Sequence, residues 1–265
     1  MSKKRPKKRK NRGLGLLIGV ISVILIGVIL VAGYYLLKQY VEYKQGEDSY
    51  GQLAQMVGSD QQGWNAPTQG GDIAPPGGWP AIDFQALSAQ NSDIAGWLFM
   101  PDSAINYPVV KGTDNEYYLK RLFNKKSNSA GTLFFDARNQ DGLLDPNTII
   151  YGHNMKNGSM FQAITLYKDK KYYDEHPRMY LLTPQGNYVI ELFSGFVTRV
   201  SDDTWQRNFE NEGSYADWIA RAKKKSTFQT DLQVTSSDRC ITLSTCSYEY
   251  DDARYVVVGK LTRVN

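Results

Sequence analysis

The chain has 265 residues, 42% of them hydrophobic, so it is long enough for one or two domains with a sizeable core. Its formal net charge is +4, but eight Lys and Arg residues fall within the first twelve positions, which leaves the remainder at −4. This distribution excludes a strongly basic, nucleic-acid-binding domain, and two cysteines are too few for a disulfide framework.

The N-terminal region predicts a membrane anchor. Residues 13–37 carry no charge and, as a helix, would extend for about 37 Å, against about 30 Å for a hydrocarbon core. The apolar part of a cleaved signal peptide is usually about 7 to 15 residues long. A basic run directly before an apolar span is better explained by the positive-inside rule than by nuclear targeting. We therefore predict a cytoplasmic tail (1–12), a single-pass transmembrane signal anchor (13–37) and an extracellular remainder.

The segment after the anchor is predicted to separate it from a folded domain. Residues 38–80 are polar and rich in Gly, Gln and Pro, which indicates an extracytoplasmic stalk, although part of Lys38–Val57 is compatible with a helix. The domain is predicted over 81–265. Within it, a helix capped by Asp83 and a second helix over 214–225, with Ser214 as its N-cap, fit the local pattern.

Most of the domain reads as strands. Eight segments rich in Val, Ile, Tyr, Phe and Thr are separated by turn residues: GWLFM, YPVV, GTLFFD, NTIIYGH, RMYLLT, NYVIELFSGFVT, RCITLSTC and RYVVVGKLTRV. Eight strands with few helices predict a mostly β fold, either a barrel or a sandwich, with mainly antiparallel pairing. We favour a closed barrel of about eight strands with peripheral helices, because closure leaves no exposed edge strand.

The two cysteines bracket one predicted strand. If Cys240 and Cys246 share that strand, their Cα atoms lie about 20 Å apart, whereas a disulfide needs less than about 7 Å. A disulfide is therefore excluded if both cysteines lie in one strand. The alternatives are two small buried residues or one nucleophile.

A nucleophilic cysteine needs a cation or base nearby, since the thiolate is the reactive form. The sequence contains two histidines. His153 follows an apolar strand beside Gly152, which would leave room for an approaching group, whereas His176 lies between acids and a proline, as in a solvated loop. His153 is the better candidate for the partner of Cys246.

Arg254 is a third candidate. If 239–246 and 254–261 form an antiparallel hairpin, Cys246 ends one strand where Arg254 begins the next, and opposed residues lie about 5 Å apart. A guanidinium there stabilises a thiolate and an oxyanion. Acidic residues in the connecting loop, Glu249 among them, offer an alternative partner for the arginine. The residue types alone leave both arrangements open.

The motifs resemble those of a known family. ITLSTC with Arg254 eight residues later, together with YGHNM, GTLFFDARN and NSDIAGWLFMPDSAINYPVVKGTDNEYYL, is similar to the class B sortases, membrane-anchored cysteine transpeptidases of Gram-positive bacteria. The resemblance covers about 180 residues. It implies the sortase β-barrel, with helices on its N-terminal side and before the active-site strand.

The resemblance also implies a reaction. Cys246 attacks a threonine carbonyl in the C-terminal sorting signal of a secreted protein, His153 acts as general acid and base, and Arg254 binds the oxyanion. The acyl group passes to an amine of a peptidoglycan precursor or, in some relatives, to a pilin lysine. The resemblance implies no metal and no cofactor, and an Asn-Pro type of sorting motif.

Further residues are implied to line the substrate groove. They are Ser244, Tyr151, Asn115, Trp205 and Thr245. The tryptophan stands where a tyrosine is expected, which leaves the peptide preference open. Two other functions fit the same residues: a thiol peptidase that gives the acyl group to water, and a non-enzymatic anchored domain that binds cell-wall partners.

Overall fold

The computed structural model describes residues 12–57, 74–75 and 78–264. The predicted cytoplasmic tail, apart from Arg12, lies outside the described residues, as does most of the central part of the predicted stalk.

The N-terminal helix, α1, runs from Arg12 to Met56. Among the described residues it is the helix long and apolar enough to cross a membrane, with a mean hydropathy of 3.0 in its most apolar stretch. It covers the predicted anchor and continues through the part of the stalk that is compatible with a helix. The chain divides into two compact units at Lys44 and Gln45, so the unit that contains the barrel begins well before residue 81. Its early start is explained by Tyr50, which is buried.

The predicted closed barrel is confirmed. Its strands are β1 (Ile94–Phe99), β2 (Asn106–Val110), β3 (Leu133–Phe135), β4 (Asn147–Tyr151), β5 (Arg178–Thr183), β6 (Gly186–Arg199), β7 (Arg239–Cys246) and β8 (Ala253–Arg263). Each of the eight predicted segments overlaps one of them. Around the barrel the order is β1-β2-β3-β4-β7-β8-β6-β5.

Strand pairing is mostly antiparallel, as predicted, with two parallel exceptions. Strand β2 pairs in parallel with β3, and β4 pairs in parallel with β7. The second parallel pair aligns Tyr151 with Ser244. Between these two strands the chain passes through β5, β6 and two of the peripheral helices. Residues about 93 positions apart therefore meet at one end of the barrel.

In the described part of the chain, three further α-helices surround the barrel: α2 (Phe84–Gln90), α3 (Lys170–Glu175) and α4 (Glu212–Lys225). The predicted cap of α2 is confirmed, since the carboxylate of Asp83 accepts a hydrogen bond from the backbone N–H of Ala86 at 2.8 Å. The predicted cap of α4 is wrong. Asn211 is the N-cap, and Ser214 lies three residues inside, where its hydroxyl accepts from the Asn211 N–H.

Helix α4 covers one end of strand β7. Its buried residues Tyr215, Trp218 and Ile219 pack against β6 and β8, and Cys240 lies in the same apolar cluster. Because side chains alternate along a strand, Cys240 and Cys246 project from the same face of β7. The helix buries the first cysteine, whereas the second lies beyond it.

Candidate active site

A cleft of about 920 Å³ opens where β4 and β7 end. It is lined by all eight residues predicted from the sequence: Cys246, His153, Arg254, Ser244, Tyr151, Asn115, Trp205 and Thr245. The fold therefore brings residues from five separate segments of the chain to one surface depression.

The hairpin of β7 and β8 places Cys246 opposite Arg254. Register is regular from Arg239, which faces Leu261, to Cys246, which faces Arg254. Cys246 is a free, half-buried cysteine. Arg254 uses Nη1 to donate to the carbonyl of Ala253 at 2.9 Å, which leaves other guanidinium N–H groups for a ligand.

The acidic loop between these strands does not neutralise the arginine. Glu249 forms an ion pair with Lys168 and accepts from the Ser247 hydroxyl. Burial favours the protonated acid, but the hydrogen bonds from Lys168 and Ser247 outweigh it and lower the pKa of Glu249 to about 2. Among the described residues, no carboxylate lies within 4.0 Å of the Arg254 guanidinium, so its charge faces the cleft unpaired.

Parallel pairing of β4 and β7 brings His153 to the same end of the barrel as Cys246. The N–H of Gly152 donates to the carbonyl of Ser244 at 3.1 Å, which continues the strand pairing towards both catalytic candidates. His153 and Cys246 each lie two residues beyond the aligned pair Tyr151 and Ser244. They therefore project from corresponding positions on neighbouring chain segments.

The imidazole of His153 is held through one nitrogen. Its Nε2 lies 2.6 Å from the carbonyl oxygen of Leu119. Because a carbonyl oxygen only accepts, Nε2 carries a hydrogen in both the neutral and the charged ring. The nitrogen left for proton exchange in the cleft is Nδ1.

The second histidine does not line the cleft. His176 caps the C-terminus of α3, and its ring packs against Tyr172 with centroids 4.5 Å apart. It is half-buried at a helix end rather than in a solvated loop. The preference for His153 as the partner of Cys246 agrees with this placement.

Comparison with known proteins identifies the family. The family model of the sortase domain matches residues 98–262. The chain is 31% identical to sortase B of Staphylococcus aureus over 93% of its length and 97% of that protein, and 31% identical to sortase B of Listeria monocytogenes over 91% and 95%. Among solved structures, a Staphylococcus aureus sortase B-substrate complex has a TM-score of 0.72 at 31% identity and covers 85% of this chain and 100% of that one. The chain belongs to the sortase family.

Within that family it is a class B sortase, and therefore a cysteine transpeptidase. Its fold, an eight-stranded barrel, is that of the sortase B structures. Residues outside the predicted set support the predicted ones, and together they form three groups.

The first group links the segment of His153 to the segment of Cys246. The side-chain amide of Asn154 donates to the carbonyl of Cys246 at 3.0 Å, and the hydroxyl of Thr245 donates to the carbonyl of Gly152 at 2.7 Å. The Thr245 hydroxyl is thereby committed to the backbone. Gly152 does not make room for a reacting group: an added Cβ would lie 2.4 Å from a methyl carbon of Leu133, so the barrel core occupies that space.

The second group forms one wall of the cleft. Asp136 is fully buried and makes a two-point ion pair with Arg138, at 2.9 Å from Nε and 2.6 Å from Nη2. The hydroxyl of Tyr151 donates to the same carboxylate at 2.9 Å. Burial raises the pKa of Asp136, but these hydrogen bonds outweigh burial and hold it well below its ordinary value. Asn115 supports this wall by accepting from the Ala137 N–H at 2.8 Å.

The third group forms the opposite wall. Trp205 ends a short 3₁₀ turn, Asp203–Trp205, and packs partly against the apolar cluster beneath α4. Asp203 pairs with Arg221, and Asp202 pairs with Lys225 at 2.9 Å, both from α4. Helix α4 therefore fixes the wall that contains Trp205. Its Arg221 and Lys225 also neutralise the two aspartates.

Local sequence held one signal for these residues. Asp136 and Arg138 stand two apart directly after a buried strand, where a charge pair requires a structural reason. The carbonyl of Leu119 and the side-chain amide of Asn154 carry no comparable signal, because long-range pairing brings each of them to its partner.

Proposed function

We propose that this class B sortase attaches secreted proteins to the cell wall through a thioacyl intermediate on Cys246. The observation that carries the proposal is a free thiol directly opposite an arginine that forms no ion pair with any described carboxylate, in a cleft that also contains His153. Anchoring of surface proteins by sortase B relatives supports the same assignment.

Acylation uses all three residues. The Cys246 thiol gives its proton to Nδ1 of His153, and its Sγ attacks the carbonyl carbon of a threonine in the sorting signal. The negative charge that develops on the oxygen is stabilised by the Arg254 guanidinium. The peptide C–N bond then breaks. The leaving amine takes a proton from Nδ1 of His153, while Nε2 stays bonded to Leu119.

Transfer reverses the proton movement. An acceptor amine attacks the thioester carbon and gives its proton to Nδ1 of His153, and the C–S bond breaks as the new amide forms. The acceptor in this proposal is the amine of a peptidoglycan precursor, and a pilin lysine is the alternative. No external oxidant or reductant is needed, because one amide replaces another.

The cleft walls are proposed to hold the sorting peptide. Ser244, Tyr151, Asn115 and Trp205 line the cleft between the two anchored walls, and the volume of about 920 Å³ accommodates a peptide of several residues. An Asn-Pro motif is proposed on the class resemblance. The indole of Trp205 is larger than a phenol, which we expect to narrow the choice of residue at the subsite that it faces.

The anchor is proposed to place the cleft outside the cell. The basic residues before α1 favour a cytoplasmic N-terminus under the positive-inside rule. A membrane-impermeant maleimide added to intact cells of a Cys240→Ala strain tests this orientation. Labelling of Cys246 is expected, and labelling that requires cell lysis would contradict it.

The thioacyl step is tested by mass spectrometry. The full chain in detergent is incubated with a panel of peptides that begin with Asn-Pro and contain Thr, and the intact mass is recorded after acid quenching. An adduct is expected on the wild type and on Cys240→Ala, and its absence from Cys246→Ala is required. An adduct that persists in Cys246→Ala excludes the proposed nucleophile, and no adduct on any peptide supports the non-enzymatic alternative.

Transpeptidation is separated from hydrolysis by adding an amine. Triglycine at increasing concentration is expected to convert the hydrolysed product into a triglycine-extended product. A product ratio that stays independent of triglycine concentration would assign a thiol peptidase instead. Replacing triglycine by a lysine-containing peptide distinguishes a cell-wall acceptor from a pilin-type acceptor.

A further inference from the structure

The last three turns of α1 pack against the barrel beside two loops. The first loop contains Gly131, and the second follows His153. Tyr50 is 6% exposed and Leu53 is 5% exposed. Gly46 packs against Ala130, since an added Cβ would lie 3.4 Å from the Cβ of that residue. Burial raises the pKa of Tyr50 well above its ordinary value of 10.0, so its hydroxyl remains a neutral donor at any physiological pH.

The hydroxyl of Tyr50 contacts the first loop. It donates to the carbonyl of Gly131 and lies 3.0 Å from Oγ1 of Thr132. Gly131 has a left-handed backbone (φ +62°), which a glycine tolerates at low cost. Gly131 and Thr132 are therefore held in place by the side chain of Tyr50, which comes from outside the barrel.

Gly131 and Thr132 lie directly against the backbone segment whose carbonyl binds His153. An added Cβ on Gly131 would lie 2.8 Å from the carbonyl oxygen of Leu119, so the two backbones are in direct contact. The N–H of Thr132 also donates to the carbonyl of Tyr118 at 3.0 Å. The carbonyl of Leu119 in turn accepts from Nε2 of His153 at 2.6 Å.

A second route leads from Tyr50 to the backbone of His153. Its ring packs edge-to-face against Tyr107, with centroids 5.2 Å apart. The Tyr107 hydroxyl accepts from the N–H of Met160 at 3.1 Å, which supports a non-glycine residue at φ 57°. The next residue, Phe161, donates its N–H to the carbonyl of His153 at 2.9 Å.

An exposed contact joins the helix to the same second loop. The carboxylate of Glu47 accepts from the side-chain amide of Asn157 at 2.8 Å. Glu47 lies one helical turn before Tyr50, and Asn157 lies on the second loop, which follows His153. The helix thus contacts both the segment that binds the imidazole and the segment that binds its backbone.

We propose that Tyr50 is a positioning residue for His153 and that the helix segment Gln45–Met56 belongs to the catalytic apparatus. The proposal rests on the general acid–base role of His153 given under the proposed function. Tyr50 fixes the Gly131 backbone, that backbone fixes the Leu119 carbonyl, and the carbonyl keeps the hydrogen of His153 on Nε2. The nitrogen Nδ1 is then presented to the cleft in one tautomer and one orientation.

The test removes one oxygen atom from the full chain. Tyr50→Phe in detergent leaves the ring packing intact and leaves the Gly131 carbonyl without its donor. We expect kcat for the Asn-Pro peptide to fall about tenfold with KM within twofold, because orientation is lost and not peptide binding. Tyr40→Phe, an exposed tyrosine of the same helix, is the matched control and should keep wild-type rates.

A second readout does not depend on activity. Ring ¹⁵N shifts of labelled histidine report which nitrogen carries the hydrogen, and His176 serves as the internal reference. We expect His153 to be Nε2-protonated in the wild type and a mixture of tautomers in Tyr50→Phe, with His176 unchanged. Tyr107→Phe, which acts on the second route, provides an independent variant if Tyr50→Phe folds poorly, and a change in the His153 ring signals with KM within twofold is expected there too.

Unchanged His153 ring signals in folded Tyr50→Phe and Tyr107→Phe would overturn the proposal, whatever their rates, since a merely structural loss lowers activity without moving the tautomer. Wild-type kcat in both variants would overturn it as well. Failure of the proposed function gives a different result. If His153 is not the general acid and base, His153→Ala keeps its activity, while the His153 ring signals of Tyr50→Phe still report on positioning by Tyr50.

Discussion

The side-chain amide of Asn154 is hydrogen-bonded to the carbonyl of Cys246 at 3.0 Å. This bond links the residue after the general acid–base candidate to the backbone of the nucleophile. Asn154→Ala should lower the acylation rate about tenfold, or about 1.4 kcal/mol, because the net value of one such bond is about 1 kcal/mol and alignment is lost with it. Rapid-quench measurement of thioester formation tests the effect.

The control for this variant is Asn124→Ala. Asn124 is an exposed asparagine whose side chain accepts a backbone N–H within its own turn. Its acylation rate should match the wild type. Equal rates for Asn154→Ala and Asn124→Ala would show that the link between the two strands does not contribute to catalysis.

The value of kcat/KM should depend on both the charge and the planar geometry of the Arg254 side chain. Arg254→Ala is expected to lose more than tenfold in kcat/KM, because the oxyanion loses its cation, and Arg254→Lys should recover part of the loss, since an ammonium offers a charge without the planar fork. Steady-state kinetics with the Asn-Pro peptide measure both. Arg199→Ala, an exposed arginine next to the same hairpin, should stay within twofold of the wild type. An Arg254→Ala enzyme within twofold of the wild type would remove this residue from the mechanism.

The two cysteines should react very differently. Burial raises the pKa of the Cys240 thiol to about 12, and α4 covers it, whereas Cys246 is half-buried in the open cleft. Iodoacetamide at pH 8 should add one group to the folded protein, on Cys246, and two groups after denaturation. Mass spectrometry of tryptic peptides locates the adducts. Cys240→Ala should retain full activity and lose about 1 kcal/mol of stability, and modification of Cys240 in the folded protein would contradict its burial under α4.

The Asp136 and Arg138 pair should make stability depend on pH. The pKa of Asp136 is lowered in the folded state, so the unfolded chain binds more protons as the pH falls below its ordinary value of 3.8. The stabilisation is fully present above about pH 5 and is lost progressively below about pH 4. At pH 7 Asp136→Asn should cost about 2 kcal/mol, a value reduced from that of a fully buried pair because Arg138 is 58% exposed.

Urea unfolding of wild type and Asp136→Asn between pH 7 and pH 3 measures this dependence. The difference between the two free energies of unfolding should shrink on the acidic side. A difference that is constant over the whole range would mean that the carboxylate charge is not what stabilises the wall. Asp141→Asn, which alters an exposed carboxylate paired with Lys111, should show a small difference at every pH.

Local pattern was enough to predict the strands and the hairpin that carries the nucleophile. The run from Arg239 to Cys246 alternates and is β-branched, and its partner begins at Arg254 after a short polar loop, so the facing pair Cys246 and Arg254 follows from antiparallel register. The cap of α4 was misplaced by three residues because Ser214 and Asn211 are both good capping residues, and they share a reciprocal pair of bonds.

The long-range strand pairing could not be predicted from local pattern. Nothing near His153 indicates that its strand pairs in parallel with β7, or that the carbonyl of Leu119 fixes its ring. The burial of Tyr50 was hidden too, because the residues around it are polar and resemble a stalk. These features depend on which segments the barrel brings together, and sequence spacing carries little information on that.

The parallel pairing of β4 with β7 makes catalytic competence conditional on a closed barrel. A local hairpin can bring the thiol beside its arginine early, but the imidazole comes from a strand about 93 residues earlier and joins them when the sheet is completed. On the proposed mechanism, the cysteine until then lacks the group that protonates a leaving amine. A chain whose barrel is still open therefore holds a thiol and an arginine side by side but cannot complete the transfer, so the topology itself keeps an immature enzyme inactive.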